Sequence, residues 1–245
     1  MPFLYNWRLW NFGSYIVAEG LVTAHINSAC YNGREIRTNA IAKAEVAEGA
    51  LRLTTRSGSV YGLMPEAIDP DRDLGLGAAY CLARFGVGAD FVEDCLRARE
   101  AADARDREEE PKLVGPGELL LVTVGVAVLR ALFRAKDGTV AAIRPFPPAG
   151  YPQSSYRVTD RDGGTVDLEY LNHFDRMVPC RLSHGVETIK IKNLGGVSIL
   201  FGAEGNEVRC PAGQVTAIPT AGLSFAKPCD PRLRWKKEEE HHGNG

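Results

Sequence analysis

The sequence predicts a mainly β protein with a helical segment, an α+β chain built from an N-terminal antiparallel meander, a helical connector and a C-terminal β-sandwich or barrel-like domain. Three observations carry this reading. Apolar and polar residues alternate from Trp7 to Leu63 and again from about Gly117 to Pro228, the period of strands with one buried face. Glycine-containing pairs punctuate the alternating runs where hairpin turns require residues that tolerate positive φ. Between the two regions the composition shifts to alanine, leucine, arginine and glutamate, which favour helix.

In residues 1–63 the runs "SYIVAEGLVTAHI", "REIRTNAIAKAEV" and "ALRLTTR" read as strands, separated by turns at Asn32-Gly33, Glu48-Gly49 and Ser57-Gly58. A meander of about four or five strands follows. The aromatic residues Phe3, Tyr5, Trp7, Trp10, Phe12 and Tyr15 crowd its start, with Arg8 among them. Large rings of this kind fill small cores, or stack on nucleic-acid bases when they share an exposed basic face.

Residues 64–116 read as a helical, acidic connector that packs partly on the first domain. Phe91, Val92, Cys95 and Leu96 recur at helical spacing as one apolar stripe, with Asp90 as the expected N-cap. From Arg97 the faces are charged or alanine and Pro111 stops the run, which predicts a solvated helix end or linker. Met64 to Lys112 holds 7 basic against 13 acidic residues, so the chain's acid is concentrated here. Asp103, Asp106, Glu108 and Glu109 are therefore contact candidates toward a basic partner.

Residues 117–230 show hairpin signals at Asp137-Gly138, Gly163-Gly164 and Gly202 to Asn206. Many short strands with such turns predict a sandwich or barrel. They do not alternate with full-length helices, which argues against a nucleotide-binding parallel sheet. Residues 231–245 lose all periodicity and read as a flexible tail.

The totals exclude several function classes. A formal net charge of −2 and a pI near 6.2 supply no field that would draw the chain onto phosphate backbones. Six cysteines stand singly without a CxxC pair, which speaks against zinc ribbons and thioredoxin-type centres. No metal and no cofactor are expected. The longest apolar run, "LLLVTVGVAVLRALF", is broken by Arg130 and falls short of the roughly 18 to 20 residues that cross a bilayer. The N-terminus carries no secretory pattern, so the expected compartment is the cytoplasm, or the host cytoplasm or a particle for a viral chain.

Two clusters remain as candidate sites. In "LRLTTRSGSVYGL" the hairpin end presents Arg52, Thr54, Arg56 and Ser57 to a partner, with the turn itself as the plain alternative. In "LNHFDRMVPCRLSHG" the residues His173, Asp175, Cys180 and His184 bring together thiol, imidazole and carboxylate, the groups of a nucleophilic site. The chain thus reads first as a non-enzymatic interaction or assembly protein, an inhibitor, adaptor or particle component that also self-associates through sheet edges. The alternative is a hydrolase or transferase centred on Cys180, His173 and His184. A third reading is nucleic-acid binding through the N-terminal aromatic and basic residues.

Overall fold

In the computed structural model of the chain, the described residues are 1–24, 32–138, 140–143, 153–159, 165–173, 176–182, 185–202 and 205–223. Met1–Lys112 and Gly195–Val197 form one unit, and the described residues of Leu113–Leu194 and Ser198–Gly245 form the other.

The first unit is a six-stranded sheet carrying two helices on one face. Its strands are β1 (Phe3–Asn11), β2 (Ile16–Thr23), β3 (Glu35–Arg37), β4 (Ile41–Ala47), β5 (Ala50–Thr55) and β6 (Val60–Leu63), in the spatial order β3-β2-β1-β6-β5-β4. Two antiparallel groups, β1-β2-β3 and β4-β5-β6, meet at a short parallel pair through Phe3–Gly62 and Leu4–Leu63. Alternation fixes which side chains face inward, but not which strand lies beside which. That is why the parallel seam between β1 and β6 is invisible in the pattern. The three turn pairs fall where the glycines place them. Glu48 and Gly49 both adopt positive φ, 53° and 78°, as a two-residue hairpin with matching strand twist requires.

Helix α1 (Arg72–Ala83) starts at Asp71, whose side chain accepts from the amides of Asp73 and Leu74 at 2.9 and 3.3 Å. Helix α2 (Ala89–Glu109) begins after Gly88, with Asp90 in its first turn rather than at the N-cap. The two helices approach closely at Gly75, where an added Cβ would lie 2.9 Å from the Leu96 side chain. The expected stripe is present: Val92 and Cys95 are buried, and Phe91 and Leu96 pack against the same core. One feature of α2 departs from the expectation of a solvated end beyond Arg97. Arg99 continues the buried face.

Leu4, Trp7 and Leu9 from β1, Ile16, Ala18 and Val22 from β2, and Leu51 and Leu53 from β5 build this core with Ala78, Cys81, Leu82, Val92 and Cys95 from the helices. The helical segment up to Lys112 therefore supplies eight of the nineteen buried residues of the first unit's core.

The second unit has two five-stranded sheets. One contains β7 (Glu118–Val124), β8 (Ala127–Arg134), β9 (Val140–Ile143), β13 (Thr188–Asn193) and β16 (Val215–Pro219), in the order β16-β13-β7-β8-β9. The other contains β10 (Gln153–Thr159), β11 (Thr165–His173), β12 (Arg176–Leu182), β14 (Ile199–Phe201) and β15 (Val208–Cys210), in the order β10-β11-β12-β14-β15. Leu119, Leu121, Phe133, Ile189 and Ile191 from the first sheet share one core with Met177, Ile199, Phe201 and Cys210 from the second. The architecture is sandwich-like, and neither sheet closes into a barrel.

Among the described residues, no helix is long and apolar enough to cross a membrane. Cys81, Cys95 and Cys210 are free thiols buried in the two cores. Burial pushes the Cys95 thiol up to about 12, with Asp94 and Glu66 adding to the rise, and the Cys210 thiol up to about 11. These thiols act as small hydrophobic side chains.

Candidate functional site

The residues proposed for nucleophilic chemistry lie in or beside β11 and β12. Asp175 and His184 are outside the described residues, as are the side chains of His173 and Cys180. The backbone register pairs His173 with Arg176 at the hairpin end, while Cys180 lies at the shift where Glu169 pairs Arg181 and Tyr170 pairs Pro179. Cys180 lies four residues beyond Arg176, the partner of His173, a rise of roughly 13 Å along the strand. Among the described residues, no three His, Cys, Asp or Glu side chains converge as a metal-ligand set.

Two of the acidic candidates at the end of α2 are paired locally. Asp103 accepts from Nε of Arg99 at 3.1 Å on both carboxylate oxygens, and Glu108 pairs with Lys112 at 2.9 Å. Glu109 is exposed on the last turn.

The hairpin residues have the facing expected of them. Leu51 and Leu53 are fully buried while Arg52 is exposed and Thr54 half-buried on the other face. Much of the polar tip is spent on the turn itself. The hydroxyl of Thr55 accepts from the Ser59 amide at 3.0 Å and lies 3.0 Å from the Ser57 hydroxyl, which also accepts from Asn39 Nδ2 at 3.2 Å. Arg56 differs from its neighbours. Its amide donates to Ala40 O at 2.7 Å, which ties the tip to the start of β4, and its side chain lines a cavity.

That cavity, about 330 Å³ in volume, is bounded by Ser14, Tyr15, Ile16, Ile41, Ala42, Arg56, Arg84 and Phe85. Among the described residues no carboxylate lines it. The guanidinium of Arg84 donates to two neutral acceptors, Gly13 O at 2.8 Å and Asn11 Oδ1 at 3.4 Å. A second cavity of about 440 Å³ lies on the other side of Phe85 and has the opposite character. Glu45, Asp90 and Asp94 border it, with Val46, Phe85, Val87 and Phe91 as its apolar walls.

Both cavities follow β4, which is an edge strand of its sheet. They form a groove with arginines beside the strand's start and carboxylates beside its end. Val46 remains 50% exposed within it. Sequence reading found Arg56 through the hairpin signal but not Arg84, Asp90 or Asp94 as its groove partners, because only the packing of the α1–α2 corner against β4 assembles them.

The β1-β2-β3 half of the sheet carries a charge network. Arg8, Glu19 and Arg37 lie in one cross-strand row. Arg8 pairs with Glu19, with Glu35 at 2.8 Å and with Asp69 at 3.2 Å, and Arg37 reaches Glu19 at 2.6 Å. Arg8 also stands over Trp10 at 5.7 Å, and Arg37 over Phe12 at 5.8 Å. The basic residue among the N-terminal aromatics is thus neutralised by three carboxylates.

Burial would raise the Glu19 carboxyl, but hydrogen bonds from Arg8 and Arg37 outweigh it and hold the group below its ordinary value of 4.5. A depressed carboxyl contributes stability above its unfolded value and loses it as pH falls through the folded value. Glu19→Gln is therefore expected to cost about 1–2 kcal/mol at neutral pH. In urea titrations across pH, the gap from wild type should close below about 4. A gap that persisted unchanged into acid would show that the carboxylate charge contributes nothing.

Comparison with protein-family models, curated proteins and solved structures finds no match for the chain.

Proposed function

We propose that the chain is a non-enzymatic protein-binding or assembly protein that acts by contact, and that the groove along β4 is its principal contact surface. One observation carries this reading. Among the described residues, Arg56 and Arg84 line a cavity that no carboxylate borders, beside the start of β4. Two guanidiniums placed so favour an acidic group from outside. Inhibitors, adaptors and particle components all belong to this class.

The test is affinity capture from the native host with mass spectrometry, comparing wild type with Arg56→Glu. Arg56 is exposed, and only its backbone amide ties the hairpin tip to β4. The variant should keep the wild-type melting temperature and lose the captured protein, with affinity falling roughly tenfold or more. Equal recovery of the same proteins by both chains would remove the groove from the contact surface.

A further inference from the structure

Four segments of the first unit converge on the arginine cavity, and the curl of the sheet brings them together. A connection of residues 38–40 joins β3 to β4 and is tied back to β2. The Thr38 amide donates to Ala18 O at 2.8 Å, and the Thr38 hydroxyl accepts from the Ala18 amide at 2.9 Å. The start of β4 is thereby held near β2, and Ile16 and Ile41 border one cavity. The β1–β2 turn contributes Ser14 and Tyr15, the β5–β6 turn contributes Arg56, and the end of α1 contributes Arg84 and Phe85.

Both guanidiniums are carried on fixed backbone. Arg84 Nη1 donates to Gly13 O at 2.8 Å and to Asn11 Oδ1 at 3.4 Å, and that Asn11 oxygen also accepts from the Gly13 amide at 2.9 Å. Nε and Nη2 of Arg84, a fork that holds an oxyanion in two bonds, meet no acceptor among the described residues. The Arg56 side chain forms no ion pair among the described residues, while its amide is fixed to Ala40 O at 2.7 Å. Ser14 adds a hydroxyl donor beside them. Carbonyls at the end of α1 would repel an anion, but those of Leu82 and Ala83 are satisfied by the amides of Phe85, Gly86 and Val87.

Charge and shape together specify the ligand's chemistry. A carboxylate fills one guanidinium fork, whereas a phosphate monoester carries roughly −1.5 to −2 charge at neutral pH and has acceptor oxygens enough for both. The remaining border is largely apolar. Ile16 and Ile41 are 2% and 4% exposed, and Tyr15 is stacked on Phe12 with ring centroids 5.2 Å apart. A bare phosphate ion would leave these groups and Phe85 against water, while a phosphate carried on an aromatic ring covers them. A cavity of about 330 Å³ is at the small end for bound ligands and suits a single side chain.

We propose that this cavity binds a phosphorylated tyrosine side chain of a partner protein, with Arg56 and Arg84 on the phosphate and Tyr15, Ile16, Ile41 and Phe85 about the ring. This rests on the reading of the groove as a contact surface and names the group that the surface recognises.

The experiment titrates the full chain by fluorescence anisotropy against labelled glycine-serine peptides carrying one phosphotyrosine, phosphoserine, tyrosine or glutamate, with inorganic phosphate as competitor. The phosphotyrosine peptide should bind roughly tenfold more tightly than the phosphoserine peptide, and roughly a hundredfold more tightly than the tyrosine and glutamate peptides. Arg56→Gln and Arg84→Lys should each weaken it roughly tenfold, the second because an ammonium keeps the charge and loses the fork. Ser14→Ala should weaken it by roughly two- to fivefold. Lys43→Gln, outside the cavity, should bind as wild type does. Thermal melts verify that each variant folds.

No binding of the phosphotyrosine peptide, equal binding of all the peptides, or full binding by Arg56→Gln and Arg84→Lys would each overturn the proposal. Equal binding of the two phosphopeptides, with inorganic phosphate displacing both, would overturn the aromatic assignment. If phosphatase treatment of the host extract leaves a protein captured by wild type and Arg56→Glu still loses it, the phosphate ligand fails and the contact surface stands. If Arg56→Glu also loses nothing, the contact reading fails with it.

Discussion

Trp7→Ala is expected to remove about 4 kcal/mol or more from the stability of the first unit, a large share of what a domain of this size holds. The indole is wholly buried, the largest of the fully buried side chains. It also fixes the path of the chain. Its Nε1 donates to Met64 O at 2.8 Å, its carbonyl accepts from the Asp69 amide at 2.9 Å, and it bridges to Ile68 in parallel. Truncation therefore leaves a large cavity and an unpaired carbonyl at the point where the chain leaves β6 for α1. Trp7→Phe separates the two costs. It keeps most of the ring volume and strands Met64 O, so a loss of about 1–2 kcal/mol is expected. Urea unfolding followed by helical circular dichroism measures both, since α1 and α2 pack on this residue's core. A Trp7→Ala loss under about 2 kcal/mol would mean that the core closes over the missing ring.

The position of Trp7 shows what the sequence could and could not disclose. Large rings are expected in this small core, Trp10 and Phe12 foremost, yet Trp7 is the one wholly buried while Phe12 is 48% exposed. Asn6 adopts a φ of 51°, and the pairing of β1 with β2 shifts between Tyr5 and Arg8. A strict two-residue period would put Tyr5 and Trp7 on the same face. The bulge resets the phase, so that Trp7 points into the core while Arg8 and Trp10 take the other side. No glycine or proline marks the place, which is why periodicity alone misses it.

The glycine-marked turns were legible for the opposite reason. A two-residue hairpin needs positive φ, and Glu48-Gly49 satisfies a local rule whatever surrounds it. The groove along β4 lies between these cases. Arg56 stands at a turn that any reader of the sequence would stop at, but Arg84 closes α1 and Asp90 and Asp94 open α2. Their meeting depends on how the helix corner packs against an edge strand, a tertiary fact without a local signature.

Replacement of Arg99 by methionine should cost the first unit about 3 kcal/mol, although the residue lies in a stretch whose composition reads as solvated. Arg99 is 6% exposed. Its guanidinium binds Asp103, donates to Asn6 Oδ1 at 2.9 Å and to Glu66 O and Ile68 O at 3.4 Å, and stands 5.3 Å over the ring of Tyr5. One planar group thus joins α2 to the bulge of β1 and to the turn after β6. Methionine retains most of the stem's packing and deletes the fork, leaving buried carbonyls and Asn6 without a donor. Asp103 is partly open to water, which places the cost at the low end for a broken buried pair. Arg99→Lys keeps the charge but offers a single ammonium to acceptors spread around a plane, so an intermediate loss of about 1–2 kcal/mol is expected. Arg105 is exposed on the same helix, and Arg105→Met should change stability by no more than about 0.5 kcal/mol. Urea melts of the three variants decide the matter. Equal losses at Arg99 and Arg105 would mean that the clamp contributes nothing, whereas the ordered series predicted here would make Arg99 the anchor of the charged half of α2, beyond its apolar stripe.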